Sequence, residues 1–170
     1  FERTIMKDKQ TFVNYMDALY DYICRNWLAY RPYETKAILF CGLVDMCAAM
    51  TDYFQQRLPD LRVAQYNAGD DYDTLLDNDL ITSTVQKAGT AVDIPNLSRV
   101  YNSTSVDSPN QLVQVVGRLR QLKHLPEEQC EYHQFVCLDI PKQMMYKQNR
   151  KRLLTPRVLS IREIPLGRLI

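Results

Sequence analysis

Glycine is scarce: five in 170 residues, none inside a GxxxxGK[ST] run. A loop that cradles phosphates needs several backbone amides turned to one point, so this chain has no such loop of its own. No Asp-Glu pair follows a predicted strand in a position to hold magnesium, and no metal site is expected. The five cysteines are an odd count with no CxxC spacing. That argues against a disulfide framework and for a reducing compartment, cytoplasmic or nuclear. No apolar run approaches the ~18 residues needed to cross a bilayer, and no signal-peptide pattern is present, so no membrane partner is expected. Net charge is only +1, so a nucleic-acid surface would have to be a local patch. There is no internal repeat and no low-complexity tract. The opening FERTIMKDKQ lacks an initiator methionine and reads as part of something longer.

What is present is a regular alternation of patterns over one domain's length. KDKQTFVNYMDALYDYICRNWLAY carries Phe12, Met16, Leu19, Ile23 and Trp27 at amphipathic-helix spacing, and Arg31-Pro32 is expected to end it. KAILFCG reads as a buried strand, and LVDMCAAMTDYFQQRL as a helix stopping at Pro59. LRVAQYNAG, DLITST, LSRVYNSTS and EYHQFVCLDI read as further strands. DDYDTLLDN is a short helix, VQKAGTAVDIP a loop or broken helix, and VDSPNQLVQVVGRLRQL a helix with Ser108 as N-cap and Pro109 in its first position. PKQMMYKQNRKRLL is a helix and RVLSIREIPL a last strand. The organisation is a leading helix over 1–33, a core over 34–140, and a helix and strand over 141–170. Strands alternating with helices of this length predict an α/β fold, a parallel sheet with helices on both faces.

Ligands of such sheets gather at the carboxyl ends of the strands. Cys41-Gly42, Asn67-Ala68-Gly69, Thr82-Ser83-Thr84 and Asn102-Ser103-Thr104 all follow strands, so four small or polar loops share one rim. Any one of them is also ordinary turn chemistry. On a helix through QVVGRLRQL, Leu112, Val115, Val116, Leu119 and Leu122 share one arc and Gln111, Gln114, Arg118 and Gln121 the opposite one. Arg118 and Arg120, two residues apart, would then point about 200° from each other. They reach one target only if the helix is irregular or ends near Gly117. Cys130, His133 and Cys137 form a C-x2-H-x3-C cluster, but structural zinc needs four ligands and no fourth lies nearby, so the segment reads as a strand. Lys142–Arg152 is either a phosphate-tracking patch or a solvated helix docked through Met144, Met145 and Leu153.

ILFCG, TSTVQKAGTAVDIPNL and QVVGRLR, in that order, resemble motifs IV, V and VI of the C-terminal RecA-like domain of superfamily 2 helicases. The resemblance spans roughly residues 36–125. TAVDIPN, with Ala91 where glycine is common, is similar to the duplex-DNA translocase branch that includes the transcription-repair helicase XPB and phage recombination helicases. The compact Gly-Arg-x-Arg, with Gln121 where the second arginine usually stands, resembles viral origin-binding helicases. The resemblance implies ATP and Mg²⁺ bound mainly by a separate N-terminal RecA-like ATPase domain of the same parent protein, with DNA, or else RNA, as the polymer. It implies Arg118 as arginine finger, Arg120 as a second candidate, and Gln114 orienting the finger or the attacking water. Gly89, Thr90, Asp93 and Gly117 would face the nucleotide, and Gly42, Gly69, Thr82, Ser83 and Thr84 the nucleic-acid backbone. By itself the chain is expected to be inactive, and a viral protein in a host cell fits the same resemblance. The rival expectation is a silent RecA-like interaction module.

Overall fold

All six residues of Lys36–Cys41 are buried, because this strand, β1, is covered on both faces. The computed structural model describes residues 1–31, 34–67, 69–88, 93–105, 108–125 and 129–166. Four more strands join β1: β2 (Val63–Tyr66), β3 (Leu80–Thr84), β4 (Leu97–Asn102) and β5 (Glu131–Gln134). They form one parallel sheet in the order β2-β3-β1-β4-β5, with β1 at the centre. Side chains alternate across it as the period of two requires. Ala37, Leu39 and Cys41 meet one apolar cluster, and Ile38 and Phe40 meet the other.

The helices that follow the strands close these two faces. Helix α2 (Lys9–Asn26) and helix α3 (Val44–Arg57) cover the first, with the single turn α1 (Glu2–Ile5) beside them. Helices α4 (Asp73–Asp77), α5 (Val85–Ala88) and α6 (Pro109–Val116) cover the second, through Leu75, Val85 and Val115. Helix α7 (Pro141–Leu154) packs on α6. The predicted stripe on α2 is the buried one: Met16, Leu19, Ile23 and Trp27 are all at most 7% exposed, and Phe12 is partly buried. Asp8 starts that helix by accepting the Thr11 N–H at 2.7 Å. Helix α2 ends at Asn26 and gives way to a 3-10 turn over Leu28–Tyr30, ahead of the expected stop.

The amino edge of the sheet is tied by one carboxylate. Asp79 accepts from Arg31 Nη2 at 2.6 Å, Arg62 Nη2 at 3.0 Å, Arg62 Nε at 3.1 Å and the Arg62 backbone N–H at 3.1 Å. Arg31 also lies over the Trp27 ring, so the clamp joins the end of α2 to the starts of β2 and β3. Beside it the buried Lys36 ammonium donates to the carbonyls of Leu75 and Leu76, neutralising the negative end of α4.

Three expectations need correction. Helix α6 stops at Val116 and does not run to Leu122, because after Val116 the chain tightens into i→i−3 bonds, Arg118 N to Val115 O and Leu119 N to Val116 O. Residues 158–166 are not a strand: Leu159 is fully exposed, and alternation alone cannot supply the neighbour whose N–H and C=O groups a strand needs. Helix α7 buries Gln143, Tyr146 and Arg150, while Met145 is half exposed, so the stripe that packs, with α6 among its neighbours, is not the expected one.

Candidate functional site

Where α6 ends, a concave site opens at the amino ends of β4 and β5. It has a volume of about 420 Å³ and is lined by Asp93, Ile94, Pro95, Asn96 and Leu97 on one side and Arg118, Arg120, Gln121, Leu122, Lys123 and His124 on the other. Both halves have local causes. Asn96 takes a left-handed φ of 61°, which asparagine tolerates, and this turns the chain from Asp93 into β4. On the other side, Leu122 is buried and Leu119 partly so, and they anchor the irregular segment that carries the arginines. The Cys130 thiol donates to the Arg120 carbonyl at 3.2 Å and holds the same segment toward β5.

Because the helix ends before Gly117, the 200° separation does not apply, and Arg118 and Arg120 line one cavity. Arg118 is partly buried, and its Nε has no hydrogen-bond partner among the described residues. Burial pulls its pKa below the ordinary arginine value while the nearby Asp93 carboxylate pushes it back up. Arg120 is exposed. Asp93 is held through its backbone, whose carbonyl accepts the Tyr72 hydroxyl at 2.6 Å, leaving its carboxylate at the cavity. Gln114 is exposed one turn earlier on α6 and does not line the cavity. Gly117 is exposed with φ −64°, so its backbone does not demand glycine. A Cβ there would lie 2.9 Å from the Val113 carbonyl oxygen, inside its own turn. Gly89 and Thr90 lie outside the described residues.

The donor set suits a phosphate. Among the described residues that line it, two guanidiniums and the Lys123 ammonium meet one carboxylate, and the cavity has a net positive lining of the kind an oxyanion can satisfy. Asp93 suits a hydroxyl or a guanidinium. Among the described residues no group of three His, Cys, Asp or Glu side chains could hold a metal ion. Lys123 and His124 are the residues the sequence reading passed over. Their signal was the continued basic character of QLKH directly after the arginines.

The predicted rim at the opposite, carboxyl edge divides. Thr82 and Ser83 are fully buried within β3. The Thr82 hydroxyl meets Thr51 Oγ1 at 2.6 Å and the Cys47 carbonyl at 3.1 Å, and Ser83 Oγ donates to the Tyr66 carbonyl at 2.8 Å. Both hydroxyls are spent on the core and leave the rim, because β3 lies second from the edge under α3. Thr84 is partly exposed at the end of β3. Gly69 is exposed with φ +95°, in a turn where Asp70 accepts the Asn67 N–H at 2.5 Å. The Gly42 N–H is directed at the carboxylate of Glu2.

The remaining motifs sit apart. His133 stacks on Tyr101 with ring centroids 4.8 Å apart, and its Nδ1 lies 3.0 Å from the Tyr22 hydroxyl. Cys130 faces the carbonyls of Leu97 and Arg120. Of the basic run on α7, Lys147 and Lys151 both pair with Glu163, at 2.8 and 3.2 Å. Arg150, Arg152 and Arg157 line a second cavity of about 380 Å³ with Ser108, Leu112 and Tyr146, between α6 and α7.

A parallel five-stranded sheet of this order, with helices on both faces and a cationic loop after α6, is a RecA-like α/β fold. No protein-family model and no curated protein sequence matches the chain. Solved structures do. The C-terminal domain of the DEAD-box protein Dbp5 superposes with TM-score 0.59 at 12% identity, over 85% of this chain and 80% of that one. The C-terminal part of the Fun30 ATPase domain gives 0.57 at 11% identity, covering 77% and 43%. Dbp5 L327V from S. cerevisiae, solved with RNA and ADP BeF3, gives 0.57 at 13% identity, covering 84% and 36%. The chain thus spans less than half of these two longer structures. At such identities the shared property is the fold.

Proposed function

We propose that this chain is the second RecA-like domain of a helicase-type, nucleic-acid-dependent ATPase, and that Arg118 is its arginine finger. The observation that carries the reading is the convergence of Arg118, Arg120 and Asp93 on one concave site, with Arg118 Nε buried and unmatched among the described residues. ATP supplies a γ-phosphoryl group whose transfer to water builds negative charge on its oxygens. In this reading the group and its Mg²⁺ are held by a separate ATPase domain, and this chain closes over them. Arg118 donates to the developing charge, Arg120 and Lys123 add positive potential at the mouth, and Asp93 holds Arg118 until closure. Because the arginine prefers the triphosphate-bound arrangement, hydrolysis weakens the closed state and moves the domain. Gln114 orients the finger from the flank. The nucleic-acid grip is assigned to the carboxyl edge, to Gly42, Gly69 and Thr84.

DNA is the proposed polymer, on the resemblance of TAVDIPN and Gly-Arg-x-Arg. RNA is tested beside it, because one fold neighbour was solved with RNA and ADP BeF3. The experiment is nucleic-acid-stimulated ATP hydrolysis by the parent protein. Arg118→Ala is expected to lower turnover by on the order of 10³-fold with ATP and polymer still bound. If Arg120→Ala alone has that effect, the finger is Arg120. If neither variant changes turnover, the chain is an interaction module.

A further inference from the structure

One stripe of α7 faces α6 across the cavity of about 380 Å³. Tyr146, Arg150, Leu153 and Arg157 recur at helical spacing and all line it, Arg157 from the 3-10 turn Thr155–Arg157 that follows the helix. Leu112 of α6 lines the cavity with them. Leu112 and Tyr146 are buried and Leu153 partly so, which gives the cavity an apolar floor. Arg150 is 7% exposed, while Arg152 and Arg157 are exposed and stand at the mouth. Three guanidiniums thus meet this floor, and among the described residues no carboxylate lines the cavity.

The lysines of the same basic run are engaged elsewhere. Lys147 and Lys151 pair with Glu163, and Lys142 Nζ lies over the Tyr146 ring, 5.6 Å from its centroid. Among the described residues neither Arg152 nor Arg157 joins an ion pair. Arg157 Nη1 donates to the Leu153 carbonyl at 2.6 Å, which holds the guanidinium beside the floor and leaves its other donors for an acceptor. A nucleic-acid backbone is the poorer match. Its phosphates would leave the apolar floor unfilled, and Tyr146, 8% exposed, is too buried to offer a base a face. Arginine beside an aromatic and aliphatic wall is instead the composition of a protein-binding hot spot. The volume takes one large apolar side chain, with carboxylates placed at the arginines.

We propose that this cavity is a docking site for an acidic peptide segment of a partner protein. The segment inserts a bulky apolar side chain between α6 and α7 and sets flanking carboxylates on Arg152 and Arg157. Arg150 lies deeper and adds positive potential behind them. The site lies at the Ser108 end of α6, whereas Arg118 follows the other end, so this surface is separate from the cavity of Arg118. The inference stands independently of the ATPase reading.

The test is fluorescence anisotropy of the wild-type chain with a labelled peptide that carries one phenylalanine flanked by glutamates. Wild type should bind it, and Arg152→Ala and Arg157→Ala should each weaken binding about tenfold, the scale of one charge-assisted hydrogen bond. Replacing the phenylalanine of the peptide with alanine should weaken binding by a similar factor. Both arginines are exposed, so the variants should fold as wild type does. In wild type the peptide should shift the amide resonances of Leu112, Asn149 and Leu153 and leave that of Arg118 in place. Absence of binding at millimolar peptide overturns the inference, as does binding that neither arginine substitution nor loss of the phenylalanine changes. A labelled single-stranded oligonucleotide forms the rival arm. If it binds where the peptide does not, and the same two variants weaken it, the cavity is a nucleic-acid site and the inference fails.

Discussion

Replacing Asp79 with asparagine removes the charge that ties α2, β2 and β3 together at the amino edge. Asp79 is 6% exposed and accepts four hydrogen bonds from two arginines. Burial pushes its pKa up, but the hydrogen bonds from Arg62 and Arg31 outweigh that and bring it down to about 2. Relative to the ordinary 3.8, this is about 2 kcal/mol of preference for the ionised carboxylate in the folded state. The folded pKa is depressed, so the stabilisation is complete above about pH 4 and fades as pH falls toward about 2. Arg62 is largely exposed and can rehydrate when unpaired, which keeps the cost near 2 kcal/mol and below the 3–5 kcal/mol of a fully buried broken pair. Urea denaturation of wild type and Asp79→Asn near pH 7 and near pH 3 measures this. The difference should be about 2 kcal/mol at the higher pH and clearly smaller at the lower. An equal difference at both values would refute the electrostatic account and leave only a packing role.

His133 offers a second pH test. Burial holds its pKa down to about 4, with the Glu131 carboxylate pulling the other way and Arg99 adding to the depression. The ring should therefore stay neutral at pH 6 by NMR, and stability should fall as pH drops from about 6.5 to about 4, where only the unfolded chain takes up the proton. A normal titration near 6.5 would mean that the ring does not stack under Tyr101. Thr82→Val should cost about 1 kcal/mol of stability by breaking the buried hydroxyl pair with Thr51, and should leave nucleic-acid affinity unchanged. A loss of affinity without a loss of stability would return Thr82 to the rim.

The order of elements was legible because burial imposes period. A strand covered on both faces, Lys36–Cys41, reads as an unbroken apolar run, and a helix covered on one face reads as Met16, Leu19, Ile23 and Trp27. The N-cap Ser108 was legible for the same local reason, and its hydroxyl does accept the Gln111 N–H. The chemistry at the amino edge was half legible. Arg118, Arg120 and Asp93 stood out by motif, but their meeting depends on α6 ending at Val116, a choice made by tightening bonds and by the burial of Leu122 rather than by periodicity. Alternation misled at residues 158–166, which join no strand among the described residues, and position after a strand misled at Thr82 and Ser83, whose hydroxyls turned inward.

The sequence by itself determined that this chain folds as an alternating parallel sheet, carries a Gly-Arg-x-Arg and has no phosphate loop. Each of these is a property of neighbouring residues or of their absence. Only the tertiary structure decided which groups meet. Glu2 reaches Ser103 across 101 positions, and Asp93 faces Arg118 from another loop. A carboxylate taken out of water must find whatever donors the folded chain presents, and those are fixed by which strands lie side by side.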